Sequence, residues 1–122
     1  MSNQDHAVAI QELEWANWRL VPDEHAAALR AYIVDLVGAT RREGDLALGA
    51  SPRGALALQR AAQSYAAGVG RDYVTPDDVK TLAPAVLTHR LLVAPEAELR
   101  GVTAEDIVER VLGSVAVPRA GG

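Results

Sequence analysis

The chain of 122 residues contains no cysteine and no phenylalanine, and Lys80 is its only lysine. Without cysteine there is neither a disulfide framework nor a thiolate metal site, and a reducing compartment fits the composition. Apolar runs extend over only a few residues. Met1-Ser2-Asn3-Gln4-Asp5-His6 offers neither the basic region nor the apolar stretch of a signal peptide, so a soluble, cytoplasmic protein without membrane contact is expected. Positive charge is short as well: 16 acidic residues against 12 basic ones leave a net charge of -4. That balance argues against non-specific nucleic-acid binding, which needs clustered cations to displace counterions. What the chain has in quantity is apolar surface, 49% of its residues, enough for the core of one globular domain.

Catalytic machinery is missing in the same sense. No Gly-x-x-x-x-Gly-Lys-Ser/Thr loop is present to cradle phosphates, and no apolar strand ends in Asp-Glu to hold Mg²⁺. No serine sits in a Gly-x-Ser-x-Gly elbow. His6, His25 and His89 are scattered one per segment, and His25 beside Asp23 and Glu24 reads as a solvated helix start, so no metal site is expected. By itself the chain is expected not to be an enzyme.

The apolar positions recur at helical spacing throughout. Residues 7–20 place Val8, Ile10, Leu13, Ala16 and Leu20 on one stripe, widened by Trp15 and Trp18. From Pro22-Asp23 a second helix carries Ala26, Leu29, Ile33, Leu36, Val37 and Thr40 inward and ends near Gly44. Ser51-Pro52 is a helix start, the hydroxyl accepting from a free N–H and the proline losing no bond at the first position. This helix runs to about Gly68, with Ala55, Leu58, Ala62, Tyr65, Ala66 and Val69 as its inner face. Thr75-Pro76-Asp77-Asp78 opens another, its acid three residues after the cap suited to reciprocal capping. Pro84 is expected to split it into a piece ending near Leu82 and a second across Ala85–His89. Leu91-Leu92-Val93 reads as a brief extended segment, Pro95–Val102 as a loop, and Thr103 as the start of a last helix burying Ile107, Val108, Val111, Leu112 and Val115. The expected fold is all-α, a bundle of roughly five to six short helices with no convincing strand. Residues 1–6 are set aside as a disordered end or expression remnant, 7–118 form the domain, and 119–122 fray.

Asp77, Asp78, Glu105 and Asp106 are the first-turn acids that any capped helix attracts. Arg53 breaks that rule. It falls in the first turn of the helix opened by Ser51, where the dipole and free N–H groups disfavour a cation by roughly 0.3–1 kcal/mol. An anion would reverse the penalty, because a helix N-terminus binds phosphates and a guanidinium adds a fork of donors. The small residues Gly49, Ala50 and Gly54 would let another surface come close. The plain alternative is a surface arginine paired with an acid such as Asp45.

Several segments taken together resemble the C-terminal lid of MoxR-type AAA+ ATPases. They are Tyr32-Ile33-Val34-Asp35-Leu36-Val37, Ala39-Thr40-Arg41, Leu48-Gly49-Ala50-Ser51-Pro52-Arg53-Gly54, Gly70-Arg71-Asp72-Tyr73-Val74-Thr75-Pro76-Asp77-Asp78-Val79-Lys80 and Val86-Leu87-Thr88-His89-Arg90-Leu91. The resemblance covers about Asp23 to Pro118; residues 1–20 match poorly. It implies that Gly49-Ala50-Ser51-Pro52-Arg53 is a sensor 2 motif, with Arg53 reaching the γ-phosphate of ATP in a catalytic role in trans to a core domain outside this sequence. Ser51, Arg53 and Gly54 are the implied nucleotide-binding residues. Arg90 matches a recurring His-Arg pair to which a structural or intersubunit role is attached. ATP and Mg²⁺ are implied for the parent ATPase only, with none held by this fragment alone. The implied partners are the AAA+ core of the same parent chain, further copies in a ring homo-oligomer, and von Willebrand A domain proteins served by a chaperone-like activity. The competing readings are a histone-like DNA-binding module, suggested by Thr75-Pro76-Asp77-Asp78-Val79, and a helical protein-interaction bundle presenting Trp15 and Trp18.

Overall fold

The computed structural model describes residues 23–118. The helix expected over 7–20, with Trp15 and Trp18, lies outside the described residues. The described chain runs α1 (Asp23–Arg41), β1 (Leu46–Leu48), α2 (Pro52–Gly68), α3 (Pro76–Leu87), a 3-10 turn (Thr88–Arg90), β2 (Leu92–Val93), α4 (Pro95–Leu99) and α5 (Ala104–Ser114). It is an all-α domain with one minimal two-stranded sheet. No helix among the described residues is long and apolar enough to cross a membrane.

The core follows the helical periodicities. Leu29, Tyr32, Ile33, Leu36 and Val37 of α1 meet Leu58, Ala62 and Ala66 of α2, Val79, Ala83 and Leu87 of α3, and Ile107, Val108 and Val111 of α5. α2 and α3 pack most extensively, with α1 and α5 closing the bundle. Small residues at Ala62, Ala66 and Ala83, all fully buried, let the α2 and α3 backbones approach.

Four local expectations are corrected. Pro84 does not split α3, which continues to Leu87. Proline removes one helical hydrogen bond, but Ala83 and Leu87 on either side are buried, and the Thr88 N–H donates to the Pro84 carbonyl, so the ladder resumes at once. Pro95–Leu99 is a short helix anchored by buried Ala97 rather than part of a loop, too brief to show a period. The segments before α2 and after α3 form antiparallel β1 and β2, pairing Leu46 with Val93 and Leu48 with Leu92. The Ala94 N–H donates to the Asp45 carbonyl at 2.8 Å beyond the strands. Strands of two and three residues are below the length at which alternation can be read. Finally, Tyr65 and Val69 are exposed, and Gln63 and Gly54 are buried in their place. A tyrosine can leave its polar end in water, and Tyr65 is 40% exposed.

A polar knot joins α2 to α3. Asp78, 3% exposed, accepts from both Arg71 terminal nitrogens at 2.7 and 2.5 Å and from the Thr75 N–H at 2.8 Å. Burial raises the Asp78 pKa, but the Arg71 fork and the Thr75 donors outweigh it and hold the carboxyl below the usual range.

Candidate functional site

Two of the helices starting on Ser or Thr complete their own N-termini. Thr75 Oγ1 accepts from the Asp78 N–H at 3.2 Å while the Asp78 carboxylate accepts from the Thr75 N–H. Thr103 and Asp106 repeat the exchange at 3.1 and 3.0 Å, which keeps the Asp106 carboxyl in its charged form to lower pH than usual. α2 does not do this. Ser51 has the extended backbone of a cap (φ -85°, ψ 171°), yet its hydroxyl caps nothing, contrary to the sequence reading. The third position is Gly54, which brings no carboxylate to reciprocate, and its N–H goes to the Ser51 carbonyl at 2.8 Å. No acid stands in the first turn.

Arg53 occupies that turn and is exposed. Among the described residues it has no hydrogen bond and no ion pair, and Asp45, the acid a plain surface pairing would use, is engaged elsewhere. Asp45 binds Arg100 at 2.7 Å and Arg110 at 3.1 Å, and Arg110 also reaches Glu43 at 2.6 Å. The hydrogen bonds from Arg110 and then Arg100 hold the Asp45 carboxyl below its ordinary pKa.

The turn that presents Arg53 is fixed from below. Thr40, at the end of α1, donates its hydroxyl to the Val37 carbonyl at 2.6 Å and accepts the Ala50 N–H at 3.0 Å. Thr40 and Ala50 are both fully buried. Its place on the apolar stripe of α1 was the legible sign, since a polar group there must find a buried partner. Thr40→Val keeps the shape but strands the Ala50 N–H, and is expected to cost about 1–3 kcal/mol in urea unfolding, with Thr40→Ser close to wild type. Gly49 lies so near α1 that an added Cβ would stand 2.7 Å from the Arg41 Cα and from the Thr40 carbonyl oxygen. Gly49→Ala must therefore push backbone against backbone, and a loss of about 1–3 kcal/mol is expected by the same measurement. The small residues at 49 and 54 thus serve contacts within the domain: at Gly54 the neighbours are Ala50, Arg90 and Leu87.

The structure therefore brings Ser51, Arg53 and Gly54 to one turn, with different parts to play. Arg53 faces solvent, Ser51 supplies the backbone bend, and Gly54 is buried. Arg90, left without a site role by the sequence, is brought beside this turn.

The sequence model of the family described as the AAA lid domain matches residues 38–111. The chain is 47% identical over 91 residues to the protein YeaC of Bacillus subtilis, covering 75% of this chain and 28% of that one. It is 42% identical over 101 residues to Chaperone MoxR1 of Mycobacterium tuberculosis, covering 75% and 27%. A crystallised protein of Cytophaga hutchinsonii assigned as an ATPase superposes with a TM-score of 0.70 at 36% identity, over 75% of this chain and 31% of that one. The chain belongs to the AAA lid domain family. Its relatives make this lid the one of the MoxR-family AAA+ ATPases. The chain spans between 27% and 31% of the length of these three relatives.

Proposed function

We propose that this domain is the nucleotide-responsive lid of a cytoplasmic MoxR-type AAA+ ATPase, and that Arg53 is the sensor 2 residue contacting the terminal phosphate of ATP held with Mg²⁺ by the ATPase core. The observation carrying this reading is an exposed arginine in the uncapped first turn of a long helix, without an anionic partner among the described residues. Such a turn fits a phosphate: the dipole is positive, no carboxylate competes, and the Arg53 guanidinium can grip two oxygens at once. ATP, when bound, supplies a phosphoryl group whose oxygens gather charge during transfer.

Thr40, Gly49 and Ala50 hold the turn, so the backbone that carries Arg53 moves with the whole bundle. Arg53 makes its phosphate contact only when the lid is closed, so a triphosphate favours the closed position. Charge-assisted hydrogen bonds of about 1.5–3 kcal/mol bias such an equilibrium roughly ten- to a hundredfold. Loss of the terminal phosphate removes that bias and lets the lid swing. Ring assembly, chaperone-like maturation of clients and von Willebrand A domain partners belong to the same reading, of which the relative named a chaperone supports the chaperone-like part. The test is ATP turnover by the ATPase carrying this lid, with Arg53→Ala and Arg53→Lys; full turnover in a folded Arg53→Ala protein would overturn the sensor role.

A further inference from the structure

We infer that Arg90 is a second phosphate-binding residue of the Arg53 site, contributed by a different element and packed beside Gly54. This rests on the sensor reading of Arg53 and extends it. Arg90 ends the 3-10 turn after α3, far from Arg53 in sequence. Its side chain nevertheless runs along the first turn of α2: a Cβ added at Gly54 would lie 3.5 Å from the Arg90 Cδ and 3.6 Å from a Leu87 methyl. The guanidinium begins one bond beyond that carbon, so it lies within a few ångströms of the turn that carries Arg53.

Gly54 itself is tight against Ala50: an added Cβ would stand 3.2 Å from the Ala50 Cβ, whereas the Arg90 Cδ lies at ordinary contact distance. A glycine inside a helix is a poorer former than alanine, so its presence at a buried position calls for a steric reason. The space that its missing side chain leaves is bordered by Ala50 at 3.2 Å and by the aliphatic stem of Arg90. Leu87, buried at the end of α3, fixes the base from which Arg90 departs.

Charge gives the second argument. Arg90 is exposed and, among the described residues, has neither hydrogen bond nor ion pair. Arg71 is satisfied by Asp78, Arg100 by Asp45, and Arg110 by Glu43 and Asp45, while Arg41, Arg42 and Arg60 share the unpaired state among the described residues; what sets Arg53 and Arg90 apart is their common place at the first turn of α2. Two guanidinium groups without a counter-charge among the described residues thus stand beside the positive end of one helix, where the dipole opposes a cation, in a chain whose net charge is -4. An anion bound there offsets the opposition of the dipole, and two forks from two elements suit the several oxygens of a triphosphate better than a single-charge anion. Because Arg90 stands on the 3-10 turn that directly follows α3 and Arg53 on α2, both would report lid closure as one rigid unit.

The experiment is equilibrium binding of a non-hydrolysable ATP analogue and of ADP to the ATPase carrying this lid, for Arg90→Ala, Arg90→Lys, Arg53→Ala and Arg60→Ala. Arg60 is an exposed arginine about two turns further along α2, which controls for loss of charge alone. Arg90→Ala is expected to weaken the triphosphate analogue about tenfold or more while changing ADP by less than about twofold. Arg90→Lys, which keeps the stem against Gly54, retains part of that affinity, and Arg60→Ala behaves as wild type. Equal weakening of both nucleotides by Arg90→Ala, or no weakening of either, would overturn the proposal. Melting temperatures of the variants separate a packing defect, which would show in Arg90→Ala and be rescued fully by Arg90→Lys with no nucleotide preference. If Arg53→Ala selectively weakens the triphosphate and Arg90→Ala does not, only the second arginine is refuted; if neither does, the sensor reading falls as well.

Discussion

Arg53→Ala is expected to lower ATP turnover by about 10²–10³-fold, the magnitude found when a preorganised donor to a charge-developing oxygen is removed. The same substitution should leave the lid as stable as before or slightly more so. Arg53 is exposed and serves no partner among the described residues, and a cation in the first turn of α2 is opposed by the helix dipole. Removing it can return roughly 0.3–1 kcal/mol to the fold. A residue that only packs would show the opposite pattern, with activity falling because the domain melts. Turnover and urea unfolding measured on the same protein therefore separate the two roles by sign. Arg53→Lys keeps the charge without the planar fork and should fall between, since a bidentate phosphate contact is not reproduced by an ammonium.

Much of this site could be read before any coordinates. Ser51-Pro52 marked the start of α2 and Gly68 its end, because proline and glycine act locally at those positions. The first-turn acids Asp78 and Asp106 were legible as capping groups for the same reason. What stayed hidden is what depends on distant segments. Asp78 also holds Arg71 across the turn between α2 and α3, and Asp45 meets Arg100 and Arg110 more than fifty residues away. Gly49 and Gly54 could be recognised as positions of close approach, but the sequence does not say to what; the surfaces that come near are α1 at Gly49 and Ala50 at Gly54, within the same domain. Ser51 makes no side-chain cap although Gly54 has an N–H to offer, which goes to the Ser51 carbonyl; glycine at that place removes only the carboxylate that would close a capping box. The strands were invisible because two and three residues carry no period.

Asp78→Ala should produce the largest loss of stability, about 3 kcal/mol, read as a melting temperature lower by roughly 10 °C. One carboxylate accepts from both Arg71 nitrogens and from the Thr75 N–H, and the aspartate is only 3% exposed. Truncation leaves the Arg71 guanidinium, its side chain 27% exposed, facing the gap without its counter-charge and opens the N-terminus of α3. Asp78→Asn keeps the shape and an acceptor but not the charge, so it should cost less. Acid should mimic that loss in the native protein. The folded pKa of Asp78 lies below its ordinary value, so its contribution is complete above the unfolded value of about 3.9 and disappears as pH falls through the folded one. The Asp45 and Asp106 carboxyls are also held low and give way in the same direction. Wild-type stability should thus be flat near neutrality and fall on acidification below about pH 4, and Asp78→Asn should show a shallower fall. Equal acid sensitivity in wild type and Asp78→Asn would show that the Arg71 pair does not set it. Because Arg71 and Asp78 join the end of α2 to the start of α3, this knot also keeps Arg53 and Arg90, at the opposite ends of those two helices, in one rigid frame. Asp78→Ala should accordingly weaken the response to nucleotide at temperatures where the lid is still folded, and less severely than removal of Arg53 itself.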